Sequence, residues 1–274
     1  MYKRLMRCYE SFQKQIDFTP DVALILGSGL GEYANEIEVV ATLDYHDIED
    51  FPVSTVPGHK GRFVFGYVKD VAVVIMQGRI HYYEGYTMED VVLPTRLMKM
   101  MGAKILLLTN AAGGANFKFK PGDFMLITDQ ISNFVPSPLI GKNLDELGVR
   151  FPDMSEIYNK KLCSIIRSSA DALHISLQEG VYLQASGPNY ESPSEVKMFR
   201  QLGADAIGMS TCCEAIAANH MGMKVCGISC ISNLACGMSD VPLSDDDVRQ
   251  TANRVAYEFK QLITESVSRM KEII

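Results

Sequence analysis

The sequence predicts an α/β fold in which helices cover a mixed central β-sheet on both sides. Three observations support this prediction. Apolar runs of strand length recur along the chain, helical patterns separate them, and glycine or polar residues follow several of the runs. Many of the runs are apolar throughout, which is typical of strands covered on both faces. Strands that alternate with helices in this way favour an α/β/α sandwich.

The individual elements follow from these patterns in chain order. The predicted strands are VALIL (22–26), FVFGYV (63–68), VAVVIM (71–76), ILLLT (105–109), FMLIT (124–128), GVYLQ (180–184), AIGM (206–209) and KVCGISCIS (224–232). The predicted helices are 1–15, 87–101, 155–172, 193–201, 211–221 and 244–272. No internal repeat, low-complexity tract or linker divides the sequence, so we expect a single domain over residues 1–274.

Composition and charge exclude several classes of function. The net charge of −7 and the pI near 5.3 argue against a protein that grips the backbone of nucleic acid. No apolar stretch approaches the roughly 20 residues that cross a bilayer, and the start of the sequence lacks the apolar core of a secretory signal. These features predict a cytoplasmic protein that binds neither nucleic acid nor membrane.

The cysteines agree with a reducing compartment. There are seven, an odd number, and five of them lie in apolar segments without the spacing of a zinc site: Cys212, Cys213, Cys226, Cys230 and Cys236. We therefore expect buried, reduced thiols rather than disulfides or a metal site.

The loops predicted to follow the strands carry the functional signal. Five strands run into segments rich in Gly, Ser, Asn and Glu: GSGLG (27–31), NAAGG (110–114), ASGPNYES (185–192), STCCE (210–214) and SN (232–233). Ligands of open α/β sheets bind beyond the carboxyl ends of the strands. The five segments are therefore expected to form one pocket.

The glycine-rich segment GSGLG is a poor match to a dinucleotide-binding fingerprint. That fingerprint needs GxGxxG at the start of a helix and an acidic partner further on, whereas Gly27, Gly29 and Gly31 simply alternate. A nicotinamide-dependent oxidoreductase is therefore disfavoured. The simpler interpretation of GSGLG is a turn whose backbone amides and Ser28 hydroxyl bind a phosphate. The alternative is a tight turn that binds no ligand.

The stretch MQGRIHYYEGY (76–86) places Arg79, His81 and Tyr83 at a spacing of two. In an extended segment such side chains point to the same side. An arginine fork suits an oxyanion, and a nearby histidine can donate to the same group. A solvated strand end with an incidental histidine is the alternative. His59 of VPGHKGR (56–62) could control access to the same anion site, or it could lie on a hairpin loop without a functional role.

Other residues near the strand ends suit a heterocycle. Glu191 and Asn233 together can read a lactam edge, and Tyr190 offers a flat face for stacking. Met209, beside Ser210, could press against a sugar, although a methionine at a strand end is more often part of the core.

Taken together, the motifs are far more specific than any one of them. Over roughly residues 20–260 the chain resembles the trimeric class of purine nucleoside phosphorylases, which favours inosine and guanosine. The resemblance is carried, in this order, by GSGLG, VPGHKGR, MQGRIHYYEGY, TNAAGG, RFPDMS, GPNYES, GADAIGMST and ISN. It implies a nucleoside phosphorylase-like fold, a homotrimer, inorganic phosphate as co-substrate, and no metal or organic cofactor.

The resemblance also implies a role for each site residue. Phosphate would be held by Ser28, Arg79, His81, the amide of Ala111 and Ser210, with His59 near the entrance. Ribose would lie against Tyr83 and Met209, and the purine would be bound by Tyr190, Glu191 and Asn233. His81, Glu191 and Asn233 would carry the catalysis, and Phe151 would close the pocket of a neighbouring subunit.

Three positions depart from the family pattern. Tyr190 stands where the family usually has Phe, Ser232 where it often has Thr, and Asp245 where a histidine commonly contacts the 5′-hydroxyl of the nucleoside. The acidic run 245–247 can also serve simply to cap a helix.

Because the 5′ contact is altered, a 5′-methylthioadenosine phosphorylase is the nearest alternative function. A non-catalytic nucleoside or phosphate sensor is the alternative from another class.

Overall fold

The computed structural model describes residues 1–27, 29–56, 58–239 and 243–274, without the side chain of Asp245. These residues form nine β-strands and six α-helices. The strands are β1 Val22–Ile25, β2 Glu38–Asp44, β3 Arg62–Val68, β4 Val71–Gln77, β5 Ile105–Gly114, β6 Phe124–Ile131, β7 Leu177–Gln184, β8 Ala206–Gly208 and β9 Lys224–Leu234. The helices are α1 Tyr2–Gln13, α2 Met88–Met100, α3 Lys160–Leu173, α4 Pro193–Gln201, α5 Cys212–His220 and α6 Asp245–Met270.

The strands form one mixed sheet in the order β2-β3-β4-β1-β5-β8-β7-β6-β9. Strand β1 pairs in parallel with β4 and β5, whereas β3 pairs antiparallel with β2 and β4. The predicted α/β fold around a mixed central sheet is therefore confirmed.

Strand β5 is the branch point of the sheet. Its first half pairs with β1 on one side, and its whole length pairs in parallel with β9 on the other. Its last two residues, Gly113 and Gly114, pair antiparallel with β8. Because β9 also pairs with β6, strands β5, β8, β7, β6 and β9 close into a ring. The carboxyl ends of β5, β8 and β9 meet at this ring.

The helices cover the sheet in two groups. Helix α2 packs against α1 and α5, and α3 packs against α6. The apolar strands between them lie in one large core cluster, in which β1 and the first part of β5 are fully buried. Within the described ranges, no helix combines the length and apolarity needed to cross a membrane.

The predicted elements differ from the structure in two informative ways. Strand β2 was not predicted, because most of its residues are exposed and the segment lacks an apolar run. The prediction that NAAGG and SN are loops is wrong. NAAGG belongs to β5, which runs to Gly114, and SN belongs to β9, which runs to Leu234. Gly114 permits the close approach of β9, since a Cβ there would lie 2.9 Å from Ile231 Cγ2.

Candidate active site

One cavity gathers most of the residues singled out in the sequence. It encloses about 760 Å³, including the part open to solvent. Its walls come from the carboxyl end of β4, from β5, from the loop before α4, from the β8–α5 junction and from β9. The predicted site residues that line it are Arg79, His81, Tyr83, Ala111, Tyr190, Glu191, Met209, Ser210 and Asn233.

The glycine turn after β1 packs directly on β5. The Gly27 amide donates to Thr109 Oγ1 at 3.0 Å, and Thr109 Oγ1 donates to the Ile25 carbonyl. A Cβ on Gly27 would lie only 2.5 Å from Asn110 Cα, so a larger residue cannot occupy this position without displacing a strand. Ser28 follows immediately but lies outside the described residues.

Arg79 lies just beyond β4 and is 2% exposed. Its Nε donates to Glu214 Oε1 at 2.9 Å. Its Nη2 is buried and has no hydrogen-bond partner among the described residues. A buried guanidinium nitrogen without an acceptor is costly, which favours an anionic ligand at the cavity wall.

His81 is held by a carboxylate three residues later. Glu84 Oε1 accepts the His81 backbone amide at 2.7 Å and lies 3.2 Å from Nδ1 of the same residue. Burial alone would raise the pKa of Glu84, but hydrogen bonds from His81 and Thr55 lower it to about 2. Burial lowers the pKa of His81, so its ring is uncharged at neutral pH. With Nδ1 directed to Glu84, Nε2 is the nitrogen left for a ligand.

His59 lies beside this group and lines a smaller cavity together with Gly27, Gly29 and Lys60. Its ring stacks on that of His81, with centroids 5.5 Å apart. Burial lowers the pKa of His59 to about 4, and the neighbouring His81 adds to this effect. His59 Nδ1 lies 3.1 Å from the Arg79 carbonyl. At neutral pH His59 is therefore an uncharged side chain between the glycine turn and the main cavity.

Ser210 sits at the junction of β8 and α5. Its hydroxyl lies 3.1 Å from Thr211 Oγ1, which also accepts from Asn110 Nδ2 at 3.0 Å. Thr211 has a φ of 83°, an unfavourable conformation for a β-branched residue. The Thr211 amide donates to Glu214 Oε2 at 2.9 Å. The same carboxylate therefore holds Arg79 and the start of α5.

Glu191 and Asn233 supply the polar groups at another part of the cavity. Glu191 is buried, and this burial raises its pKa. The Asn233 amide is oriented by two contacts: Ser232 Oγ donates to Oδ1 at 2.8 Å, and Nδ2 donates to the Leu234 carbonyl at 3.0 Å. Each amide atom of Asn233 retains the capacity for one further hydrogen bond.

Tyr83 and Met209 meet at Gly187. A Cβ on Gly187 would lie 2.5 Å from Met209 Sδ and 3.1 Å from Tyr83 Cδ1. Gly187 also has a φ of +67°, which favours glycine. The ring of Tyr83 stacks on His81 at 4.7 Å between centroids. An apolar wall thus adjoins the cationic and imidazole groups.

Two further predicted residues are not among those that line this cavity. Phe151 is on the surface, 86% exposed, with the Arg150 guanidinium 5.5 Å from its ring centroid. Asp245 is the first residue of α6, and its side chain is not described. Ser244 caps that helix by accepting the Asp247 amide at 3.2 Å, and its hydroxyl donates to Asp247 Oδ2 at 2.6 Å, so the acidic run does take part in capping. Leu243 and Val248, at the same end of α6, line the cavity.

Sequence reasoning missed the residues that orient the site, namely Glu84, Glu214 and Thr211. A local signal was present for each of them. Glu84 follows His81 by three residues, and TCCE has the spacing of a helix capping box, with Thr211 and Glu214 as its ends. The contact of Glu214 with Arg79, 135 positions away, has no local signal.

The prediction of buried thiols is confirmed for six of the seven cysteines and is wrong for Cys236. All seven are unpaired, and all but the partly exposed Cys236 are buried. Among the residues that the structure describes, no group of three or more His, Cys, Asp or Glu side chains is arranged to hold a metal ion.

Comparison with known proteins gives consistent matches over most of the chain. A family model described as the phosphorylase superfamily matches residues 21–268. Purine nucleoside phosphorylase 1 of Geobacillus stearothermophilus is 50% identical over 252 residues, covering 92% of this chain and 92% of the relative. Purine nucleoside phosphorylase 1 of Bacillus subtilis (strain 168) is 49% identical over 263 residues, covering 96% and 97%.

Solved structures agree. Schistosoma mansoni purine nucleoside phosphorylase in complex with adenosine is similar with a TM-score of 0.93 at 33% identity, covering 98% of this chain and 97% of that chain. The Schistosoma mansoni structure in complex with inosine gives a TM-score of 0.92 at 33% identity, with coverages of 97% and 96%. The resemblance to purine nucleoside phosphorylases inferred from the motifs is confirmed, and the chain belongs to the phosphorylase superfamily and, within it, to the purine nucleoside phosphorylases.

Proposed function

We propose that this protein catalyses the reversible phosphorolysis of 6-oxopurine nucleosides such as inosine and guanosine. The products are the free purine base and ribose or deoxyribose 1-phosphate. Family membership supports the reaction class. The observation that carries the proposal is that anion-binding groups and a carboxylate–carboxamide pair line the same cavity, with an apolar wall that also belongs to it.

Phosphate is bound at the end of the cavity formed by Arg79, His81 and Ser210, with the Ala111 amide nearby. The buried Arg79 Nη2 donates to a phosphate oxygen, which satisfies an otherwise unpaired donor. His81 Nε2 accepts the proton of hydrogen phosphate or, once protonated, donates to the dianion. Ser28 and His59 are proposed to complete this site from the side of the glycine turn.

The reaction exchanges one bond at C1′ of the sugar for another. A phosphate oxygen forms a bond to C1′ as the bond from C1′ to the purine N9 breaks, and the electron pair of that bond goes to the purine. The sugar passes through a state with oxocarbenium character, which the bound phosphate anion stabilises before it is captured. Tyr83 and Met209 are proposed to hold the sugar over the phosphate, which keeps the reacting atoms aligned.

The purine is bound by Glu191 and Asn233, with Tyr190 stacked on the ring, and Asn233 stabilises the negative charge that develops on the departing base. A proton from solvent reaches N7, and Asn233 Oδ1 accepts the resulting N7–H bond while Nδ2 donates to the 6-oxygen. Glu191 accepts the N1–H of the base. The two bonds of Asn233 strengthen as charge builds up on the 6-oxygen and a proton arrives at N7, so they favour the transition state over the bound nucleoside, whereas the bond of Glu191 fixes the orientation of the base.

A 5′-substituted nucleoside is the second candidate substrate. Leu243 and Val248 line the cavity at the start of α6, next to Asp245. Apolar side chains at this position would tolerate an alkylthio group in place of a 5′-hydroxyl.

The assembly and location follow from the same proposal. We propose a homotrimer in which Phe151 enters the pocket of a neighbouring subunit; its side chain is 86% exposed and is therefore available for such a contact. A cytoplasmic location is supported by the seven unpaired thiols. Inorganic phosphate is the co-substrate, and no metal or organic cofactor takes part in the proposed reaction.

The test is release of free base from inosine, guanosine, adenosine and 5′-methylthioadenosine, each with and without phosphate. We expect hypoxanthine and guanine to appear only with phosphate, and little adenine. Turnover of methylthioadenosine in preference to inosine would favour the second candidate. No turnover of any of the four nucleosides would contradict the proposed function and favour a sensor.

A further inference from the structure

A single buried carboxylate joins the two halves of the proposed phosphate site. Glu214 is 1% exposed and belongs to the first turn of α5. One of its oxygens accepts Arg79 Nε at 2.9 Å, and the other accepts the Thr211 amide at 2.9 Å. Arg79 and Ser210 are the cavity residues on either side of this bridge.

We propose that Glu214 is a positioning residue for phosphate, acting through Arg79 and the Ser210–Thr211 junction without touching the substrate itself. This inference rests on the proposed function and extends it to a residue outside the cavity wall. By binding Nε, Glu214 fixes the rotation of the guanidinium so that its Nη2 donor is the one left without a partner. Because the guanidinium is planar and rigid, a small rotation moves both Nη atoms, so its orientation determines whether Nη2 can donate to phosphate.

The second contact of Glu214 holds a strained backbone. Thr211 has a φ of 83° and is completely buried, and a non-glycine residue in this conformation persists only where its surroundings impose it. The bond from its amide to Glu214 is one such constraint, and the bond from Asn110 Nδ2 to its hydroxyl is another. The strained residue determines where the adjacent Ser210 hydroxyl lies.

The chemistry requires a carboxylate at position 214. Both neighbours, Arg79 Nε and the Thr211 amide, are donors, and a carboxylate offers one acceptor oxygen to each. An amide of the same shape offers one oxygen and one NH₂ group, so it must place a donor against a donor on one side. A negative charge so near a bound anion opposes binding electrostatically, which argues that geometry rather than charge is the contribution of Glu214.

The chain offers a matched control in Asp90. This residue occupies the same capping position on α2, where its carboxylate accepts the Thr87 amide at 3.0 Å and pairs with Arg4. It therefore duplicates both contacts of Glu214, with a helix cap and with an arginine, but it does not line the cavity. Asp90→Asn reports the cost of losing a similar but less buried bridge outside the cavity.

The test compares steady-state kinetics of wild type, Glu214→Gln and Asp90→Asn with phosphate and inosine varied separately. For Glu214→Gln we expect the KM for phosphate to rise about 10- to 100-fold, the change that follows loss of a charged hydrogen bond. The KM for inosine should change far less, and Asp90→Asn should leave both constants near wild type. An unchanged phosphate KM, an equal rise in both constants, or the same rise in Asp90→Asn would overturn the proposal.

Two further measurements keep the result decisive. If Glu214→Gln does not fold, Glu214→Asp replaces it: this variant keeps the charge but is too short to reach both donors, so the same rise in phosphate KM is expected.

Calorimetric titration with inorganic phosphate separates this inference from the proposed reaction. If wild type binds phosphate but turns over no nucleoside, only the proposed reaction is refuted. The role of Glu214 is then tested by whether Glu214→Gln binds phosphate more weakly than wild type. Wild type that does not bind phosphate would overturn both.

Discussion

The neutral state of His59 predicts a specific loss of stability in acid. Partial burial lowers the pKa of this imidazole from 6.5 to about 4. Below pH 6.5 the unfolded chain therefore takes up a proton that the folded protein does not, so the free energy of unfolding falls as the pH falls, until about pH 4. Burial also lowers the pKa of His81, which adds to the wild-type slope.

The magnitude follows from the two pKa values of His59. Between pH 7 and pH 5 the linkage relation gives a loss of about 2 kcal/mol for this residue. Because the ring is partly exposed, solvent screening reduces the expected loss to about 1–2 kcal/mol. His59→Asn removes the titrating group but keeps an amide donor for the Arg79 carbonyl, so the acid slope of this variant should be shallower by that amount.

Urea unfolding at pH 7 and pH 5 measures the effect directly. The experiment is run without phosphate, because a ligand of the folded state would add its own stabilisation. His46→Asn is the matched control, since this histidine is exposed on the surface. The reasoning is refuted if wild type and His59→Asn lose the same stability between the two pH values.

Three other predictions concern the purine, the sugar and the neighbouring subunit. Because burial raises the pKa of Glu191, its carboxylate should be protonated at a higher pH than an exposed glutamate, and the wild-type KM for inosine should rise as the pH falls; the same pH profile of this KM in Glu191→Gln would contradict this. Gly187→Ala should lower the free energy of unfolding by about 1–3 kcal/mol and raise the inosine KM, since the new Cβ meets Met209 at a strained φ. An unchanged urea midpoint and KM would refute that contact. Phe151→Ala should weaken inosine binding in calorimetry at unchanged unfolding free energy, and unaltered affinity would count against a shared pocket.

The fold was readable because its helices and buried strands carry strong local patterns. Strand β2 was not predicted, because most of its side chains are exposed although it pairs with β3. Its residues therefore do not form the apolar run that indicates a buried strand. The strand ends were misplaced for a different reason. Gly113 and Gly114 suggest a turn when read alone, yet here they extend β5 because β9 and β8 pack on either side of them.

The site was predictable where chemistry is local, and not where it depends on distant partners. Arg79, His81, Glu191 and Asn233 stood out as polar residues at the ends of apolar strands, and they do line one cavity. The pairing of Arg79 with Glu214 depends on the approach of α5 to the end of β4, which no sequence window contains. The neutral state of His59 likewise follows from burial created by the tertiary fold.

The central claim is that phosphate, rather than water, attacks the sugar. The most direct measurement is ³¹P NMR of the reaction of inosine with inorganic phosphate labelled with ¹⁸O at all of its oxygens. We predict ribose 1-phosphate in equal amount to hypoxanthine, with every label retained, because the new bond joins a phosphate oxygen to C1′. Free ribose formed at the same rate without phosphate would show hydrolysis and contradict the account.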